Sequence, residues 1–170
     1  MADLRLRPGE SRDIHEIAVM SRCQVEIGLR GWTWHPARIA RTLRSRDTCA
    51  VVAEIGDRFA GFLIAGFGDT QAHLSLLAVK PAWQRRGVGL AMIEWLIGSA
   101  LTAGITHFDV EMRANNFAAR SFYETLGFIR TGYIPGYYQN IEPAVRMRRD
   151  IRLHGRQPVL PATHLKTTRN

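Results

Sequence analysis

Two glycines, two arginines and a glutamine stand where an apolar strand gives way to an apolar helix, in the stretch Leu77-Ala78-Val79-Lys80-Pro81-Ala82-Trp83-Gln84-Arg85-Arg86-Gly87-Val88-Gly89-Leu90. A junction of this kind aims several backbone N–H groups at one place, at the positive end of a helix dipole, and the arginines add charge. The chemistry it offers is the grip of a phosphate. Three patterns compete for that role. A P-loop places Lys and then Ser or Thr directly after its last glycine; here Gly89 is followed by Leu90 and Ala91, so the P-loop fails. A dinucleotide fingerprint asks for a third Gly or Ala where this chain has Met92. Asp109 on the next strand superficially mimics its ribose-binding acid, but the missing glycine and the antiparallel strands before the junction count against it. The third pattern, Gln-x-x-Gly-x-Gly after a strand ending in Leu-Ala-Val, fits Gln84 to Gly89 without adjustment.

The elements that must position this junction follow from periodicity. Leu4 and Leu6 alternate with Arg5 and Arg7 in a short strand closed by Pro8-Gly9. Asp13, with Glu16, is expected to cap a helix whose inner face carries Ile14, Ile17, Ala18, Ser21 and Val25, up to Gly28. A loop through Trp32 and Trp34 leads to Pro36, well suited to begin a second helix running to Arg46. That helix turns Ile39 and Leu43 inward and Arg38, Arg41 and Arg44 toward solvent. Strands are expected over Thr48 to Ile55, Phe59 to Phe67 and Ala72 to Val79, joined by Gly56-Asp57 and Gly68-Asp69 as an antiparallel meander. The helix from Val88 to Thr102 is apolar nearly all round and is expected to be covered on more than one side. His107 to Arg113 alternates as a strand, with Asp109, Glu111 and Arg113 on its polar side. Asn115-Asn116 opens a helix ended by Gly127; Phe128 to Tyr133 and Ala144 to Ile151 are strands, with an aromatic loop from Ile134 to Asn140 between them. This order gives an α/β (α+β) fold, a mixed and mostly antiparallel sheet with helices on both faces.

The 170 residues suit one domain, expected over residues 1–152, followed by a basic, loosely held tail over 153–170. No apolar run approaches the roughly 20 residues that span a bilayer, and no apolar signal region opens the chain, so a cytoplasmic protein is the default. Cys23 and Cys49 have no metal-like spacing and read as two buried thiols; the six histidines show no ligand spacing either, so no metal is expected. His73 and His107, both in strands, read as structural. The net charge of +8 is almost all arginine, the lysines being Lys80 and Lys166. It suits an acidic partner such as RNA, the ribosome or a polyphosphate cofactor, and composition does not separate these.

With the glycine junction stand two further stretches, Val110-Glu111-Met112-Arg113-Ala114-Asn115-Asn116-Phe117-Ala118-Ala119-Arg120 and Ser121-Phe122-Tyr123-Glu124-Thr125-Leu126-Gly127-Phe128. Together they resemble the GNAT acetyltransferase superfamily. Within it the chain is most similar to the ribosomal-protein-alanine (protein N-terminal) acetyltransferases, which carry a similar Glu-x-Arg-x-x-Asn run and a later Tyr-Tyr loop. The likeness covers roughly Ala50 to Ile151.

The resemblance implies a single-domain GNAT fold with acetyl-CoA as donor and CoA as product. It puts the pantetheine arm on the backbone of Leu77, Ala78 and Val79, and the pyrophosphate on the turn of Arg85, Arg86, Gly87, Val88, Gly89 and Leu90. Gly87 and Gly89 would allow close backbone approach to that ligand. Asn116 maps to a side chain touching the arm. Glu111 matches the general base and Tyr123 the acid that protonates the leaving thiolate; a phenol with its ordinary pKa near 10 holds its proton at neutral pH. A backbone N–H near Val79 is the implied oxyanion donor. Trp32, Trp34, Tyr133, Tyr137 and Tyr138 fall in the two loops expected to flank the acceptor.

The expected activity is therefore acetyl transfer to a primary amine, directly in a ternary complex. The expected acceptor is a protein or peptide N-terminal α-amine, such as that of a ribosomal protein. A small-molecule amine or a lysine side chain is the alternative within the same chemistry. A non-catalytic basic module that binds RNA or the ribosome is the alternative outside it, and Glu111 with Tyr123 speaks against it. Direct nucleic-acid binding and membrane association are not expected, and monomer and dimer are both open.

Overall fold

The computed structural model describes residues 3–152. The expected tail, 153–170, lies outside the described residues. Seven strands, β1 (Leu4–Pro8), β2 (Thr48–Ile55), β3 (Arg58–Phe67), β4 (Gln71–Val79), β5 (His107–Arg113), β6 (Ile129–Tyr138) and β7 (Glu142–Asp150), form one sheet. Their order is β1-β2-β3-β4-β5-β7-β6. The four helices are α1 (Ile14–Met20), α2 (Pro36–Arg44), α3 (Val88–Thr102) and α4 (Phe117–Thr125). All neighbouring strands are antiparallel except β4 and β5, which α3 joins as a crossover and which therefore run parallel. No described helix is long and apolar enough to cross a membrane.

Each face of the sheet carries its own core. Against α1 and α2 lie Val52, Phe62, Ile64, Leu76 and Ala78, with Ile17, Ala18 and Ile39 facing them. Against α3 and α4 lie Val51, Leu63, Ala72, Leu74, Val110 and Met147, with Met92, Ile93, Leu96 and Tyr123 facing them. Strand β4 serves both cores because of a bulge. Ile64 opposes Leu76 and Ala65 opposes Leu74, so Ser75 has no partner on β3. The extra residue reverses which side chains face which way. Ala72 and Leu74 point to the α3 side; Leu76 and Ala78 point to the α1 side.

Several local expectations change. Asp13 stands at the N-cap position of α1, but its side chain makes no capping bond there. It closes a 3-10 turn (Ser11–Asp13), its Oδ2 accepting the Glu10 N–H at 2.7 Å while both its oxygens bind Arg7. The chelating guanidinium wins because Arg7 is itself nearly buried and also pairs with Glu54. α1 stops at Met20 and widens into a π-turn, Ser21–Val25, so it does not reach Gly28 as α-helix. Helix α3 buries Val88, Met92, Ile93, Leu96 and Ala100 on one side only; Leu90 and Leu101 remain exposed. Strand β6 absorbs most of the expected aromatic loop, reaching Tyr138 through an irregularity between Ile134 and Tyr138. Gln139 and Asn140, both at positive φ, make the turn. The thiols are free, and Cys23 is exposed rather than buried.

Candidate active site

The parallel pairing of β4 and β5 is short. Gln71 to Leu74 match His107 to Val110, and beyond Leu74 the two strands part. The cleft that opens between them is lined by Leu74, Ser75, Leu76, Leu77, Val110, Glu111, Met112, Asn116 and Tyr123. Backbone polarity within it follows from one bond. Lys80 N–H donates to the Ala60 carbonyl on β3 at 2.8 Å. Groups alternate along a strand, so the N–H and C=O of Val79, and those of Leu77, point away from β3 into the cleft. Gln84 Nε2 donates to the Val79 carbonyl at 2.9 Å and ties the following turn to the strand end. Ala78, by contrast, opposes Phe62 and buries its methyl under α1 and α2.

The turn ends in two left-handed residues close together, Arg85 (φ +61°) and Gly87 (φ +81°). Gly87 caps α3, and the first helical bond is Ala91 N–H to the Gly87 carbonyl at 2.9 Å. The N–H groups of Val88, Gly89 and Leu90 are therefore left without helical partners, as at any helix start. Here they carry the dipole's positive end. The two glycines are required for different reasons. Gly87 needs its backbone conformation, and a Cβ there would meet nothing. A Cβ on Gly89 would stand 3.2 Å from Cζ of Phe122, so a side chain there would press on the α3–α4 packing. Val88 is core, while Arg86 lies over the Trp83 ring, its guanidinium 5.1 Å from the centroid.

Asn116 caps α4, its Oδ1 accepting the Ala119 N–H at 3.1 Å, and the same residue lines the cleft. Tyr123, one face further along α4, is held edge-on between Phe122 and Phe128 and is almost fully buried. Burial, and then Tyr138, push its phenol well above the ordinary tyrosine range, so it is protonated at neutral pH. Glu111 reaches into the cleft from the opposite, polar side of β5. Its side chain is 5% exposed and fully engaged: Oε2 meets His73 Nε2, and Oε1 accepts from Arg146 Nε at 2.6 Å. Burial would raise its pKa, but the hydrogen bonds from His73 and Arg146 prevail and hold it below the usual glutamate value.

A second hollow lies on the α1 side of the sheet and meets the cleft at Ser75 and Glu111. Its walls include Glu26, Trp34, Arg38, His73, Tyr137 and Tyr138. Glu26 is buried and fixes the long loop before α2 by accepting the N–H groups of Thr33 and Trp34 at 2.8 and 3.1 Å. Arg113 reaches from β5 to the Ile27 carbonyl at 2.5 Å. Gln139 ties the turn after β6 to the same long loop, its Oε1 accepting Arg30 N–H at 2.9 Å and its Nε2 donating to Arg30 O. Of the five loop aromatics, Trp34, Tyr137 and Tyr138 line this hollow; Trp32 and Tyr133 are exposed and do not. Burial raises the Tyr138 phenol to about 12, and burial, then the Glu111 charge, raise Tyr137.

Three contributors escape a reading of the sequence. His73 and Arg146 join Glu111 only through the register of β4, β5 and β7, which spacing along the chain does not give. Ser75 lines the cleft, the acceptor-side hollow and a third, polar trough beside them only because the bulge presents it there.

Comparison with known proteins agrees with this arrangement. The Acetyltransferase (GNAT) family profile matches residues 12–128. The [ribosomal protein bS18]-alanine N-acetyltransferase of Salmonella typhimurium is 42% identical over 83 residues, 46% of this chain and 56% of that protein, so the chain spans little more than half the length of that relative. The N-alpha-acetyltransferase RimI of Mycobacterium tuberculosis is 33% identical over 122 residues, covering 69% of this chain and 75% of that one. The crystal structure of the ribosomal-protein-S18-alanine N-acetyltransferase from Escherichia coli superposes with a TM-score of 0.74 at 25% identity, over 88% of this chain and 94% of that one. A family match across most of the chain, on a sheet that parts between β4 and β5 above a glycine-capped helix, establishes that this chain belongs to the GNAT family of acetyltransferases.

Proposed function

We propose that residues 1–152 form an acetyl-CoA-dependent N-acetyltransferase that acetylates a protein or peptide N-terminal α-amine by direct transfer. The observation that carries this reading is the meeting of the two hollows at Glu111 and Ser75, with Tyr123 in the wall of one and the looped-over acceptor side in the other. The backbone of Leu77 and Val79 offers the arm a strand to pair with, and the free N–H groups of Val88, Gly89 and Leu90 suit a pyrophosphate. Asn116 reaches the arm from the α4 cap. An ammonium acceptor must lose a proton at the Glu111 centre before its nitrogen attacks the thioester carbonyl. The Val79 N–H, pointing into the cleft, is placed to donate to the oxyanion. Tyr123, held protonated, supplies the proton that the departing sulfur needs. Both named N-terminal acetyltransferase relatives favour an α-amine, and the Glu26 and Gln139 clamps favour an acceptor that enters as a chain between two fixed loops.

The test is release of free CoA with peptides of varied N-terminus, beside lysine peptides and polyamines. Peptides with a free α-amine should turn over best, and blocking that amine should abolish turnover. Release with polyamines but not peptides would refute the acceptor assignment. Full turnover in both Glu111→Gln and Tyr123→Phe would refute the mechanism.

A further inference from the structure

We propose that His73, held by Glu111, is the group that takes the proton from the acceptor amine, and that Glu111 is its positioning residue. The proposal deepens the acetyltransferase reading and rests on it. Both oxygens of the Glu111 carboxylate are already bound, one by His73 and one by Arg146, and the side chain is 5% exposed. A carboxylate so satisfied gains little by accepting another proton. His73 is placed differently. It projects from β4 into the acceptor-side hollow with a side chain 46% exposed, and its Nδ1 lies 3.4 Å from Ser75 Oγ. Ser75 faces the hollow and the donor cleft alike. With Nε2–H donating to Glu111, Nδ1 keeps its lone pair toward the place where acceptor and thioester must meet.

The charges around the imidazole come from every neighbouring element. Glu111 and Asp109 face it from β5, and Arg146 and Arg148 from β7. Tyr137 and Tyr138 face it from β6, Glu26 and Arg38 from the segment over the hollow, and Asp47 from the link into β2. Arg148 is occupied by Asp109 and Arg146 by Glu111, so the imidazolium formed on proton uptake sits next to a carboxylate rather than an unpaired cation. The step balances as follows. One N–H bond of the ammonium breaks and its proton goes to Nδ1, then to solvent through the exposed ring edge. The neutral amine forms the C–N bond and the C–S bond breaks. Tyr123 gives its proton to sulfur and regains the one shed by the new amide nitrogen, leaving amide, thiol and one released proton.

The experiment is the pH profile of kcat with acetyl-CoA and the best peptide both saturating, so that titration of the free amine does not enter. His73→Gln should lower kcat by ~10²–10⁴-fold and abolish the wild-type acidic limb, with CoA affinity by calorimetry changed less than about twofold. Added imidazole should restore part of the turnover of His73→Ala, which a purely structural histidine would not allow. Glu111→Gln should lower kcat with peptide KM and CoA affinity nearly unchanged, and added imidazole should not restore it. If His73→Gln keeps both its limb and turnover within about threefold of wild type while Tyr123→Phe fails, His73 is not the proton acceptor and the acetyltransferase reading stands. If the wild-type protein releases no CoA with any amine, both fall.

Discussion

In the proposed reading, the donor half and the acceptor half of this site are made of different material. The donor half, from Leu77 to Leu90, is built of backbone: two strand residues turned into a cleft, three N–H groups at a helix start, a left-handed glycine. The acceptor half is built of side chains: His73 and Arg146 bind Glu111, Glu26 accepts loop N–H groups, and Gln139 binds the Arg30 backbone. Backbone geometry is dictated by a few local residues and tolerates change in the rest. Side-chain geometry depends on which strands lie together and in what register. One fold can therefore keep a donor while exchanging acceptors.

Tyr123 stands in the wall of the donor cleft, and its removal should have the largest effect. Tyr123→Phe leaves the packing with Phe122 and Phe128 and takes away only the proton, so kcat should fall by ~10²–10⁴-fold with both KM values nearly unchanged. A rise in acetyl-CoA KM instead would make Tyr123 a residue that binds the donor rather than one that gives a proton. Gly89→Leu attacks the donor half through packing. Its side chain would meet Phe122, at a cost of about 1–3 kcal/mol of stability in thermal melts, and CoA affinity should drop while peptide KM in the residual activity is spared. Asn116→Ala removes the α4 cap and should cost about 1 kcal/mol, read as a lower Tm. Gln139→Ala cuts both bonds to Arg30 and should raise peptide KM a few-fold with CoA affinity unmoved, since an exposed hydrogen bond is worth about 0.5–1.5 kcal/mol. If that variant weakened CoA instead, the two halves would not be separable.

Acid sharpens the same contrast with the smallest perturbation. The Glu111 pKa is lowered in the folded protein, so its stabilisation is complete above the unfolded value of about 4.3 and is lost as pH falls through the folded value. Hydrogen exchange should show β5 and β7 amides losing protection below about pH 4 before those of α3. Uniform loss across the sheet would contradict this. Asp13 and Glu54, likewise lowered by Arg7, give the β1 edge the same acid sensitivity.

The sequence revealed the two halves unequally. The glycine junction, the β4–α3–β5 crossover, the asparagine-capped α4 and the polar side of β5 all follow from local signals: turn residues, alternation and helix starts. Pairings across strands do not. Nothing along the chain places His73 beside Glu111, because β4 and β5 are parallel and some thirty residues of crossover lie between them. The Asp13 side chain departs from a cap for a related reason. Its pattern with Glu16 is local, but a nearly buried Arg7 from β1 claims its carboxylate. The exposed far side of α3 shows the limit of reading coverage from composition: an apolar helix surface gives no count of the layers that cover it.

Strands have a parity, odd residues to one side and even to the other, and Ser75 changes it in mid-strand. Ala72, Leu74, Leu76 and Ala78 look in sequence like one unbroken apolar stripe, yet they feed two cores. Deleting Ser75 would set Leu76 directly after Leu74, and plain alternation would then keep Leu74 opposite Ala65 and Leu76 opposite Ile64, each in its present core. Deletion should therefore spare both cores and remove only the bulge. Flattening the bulge with Ser75 in place would instead swing Leu76 and Ala78 into the wrong core.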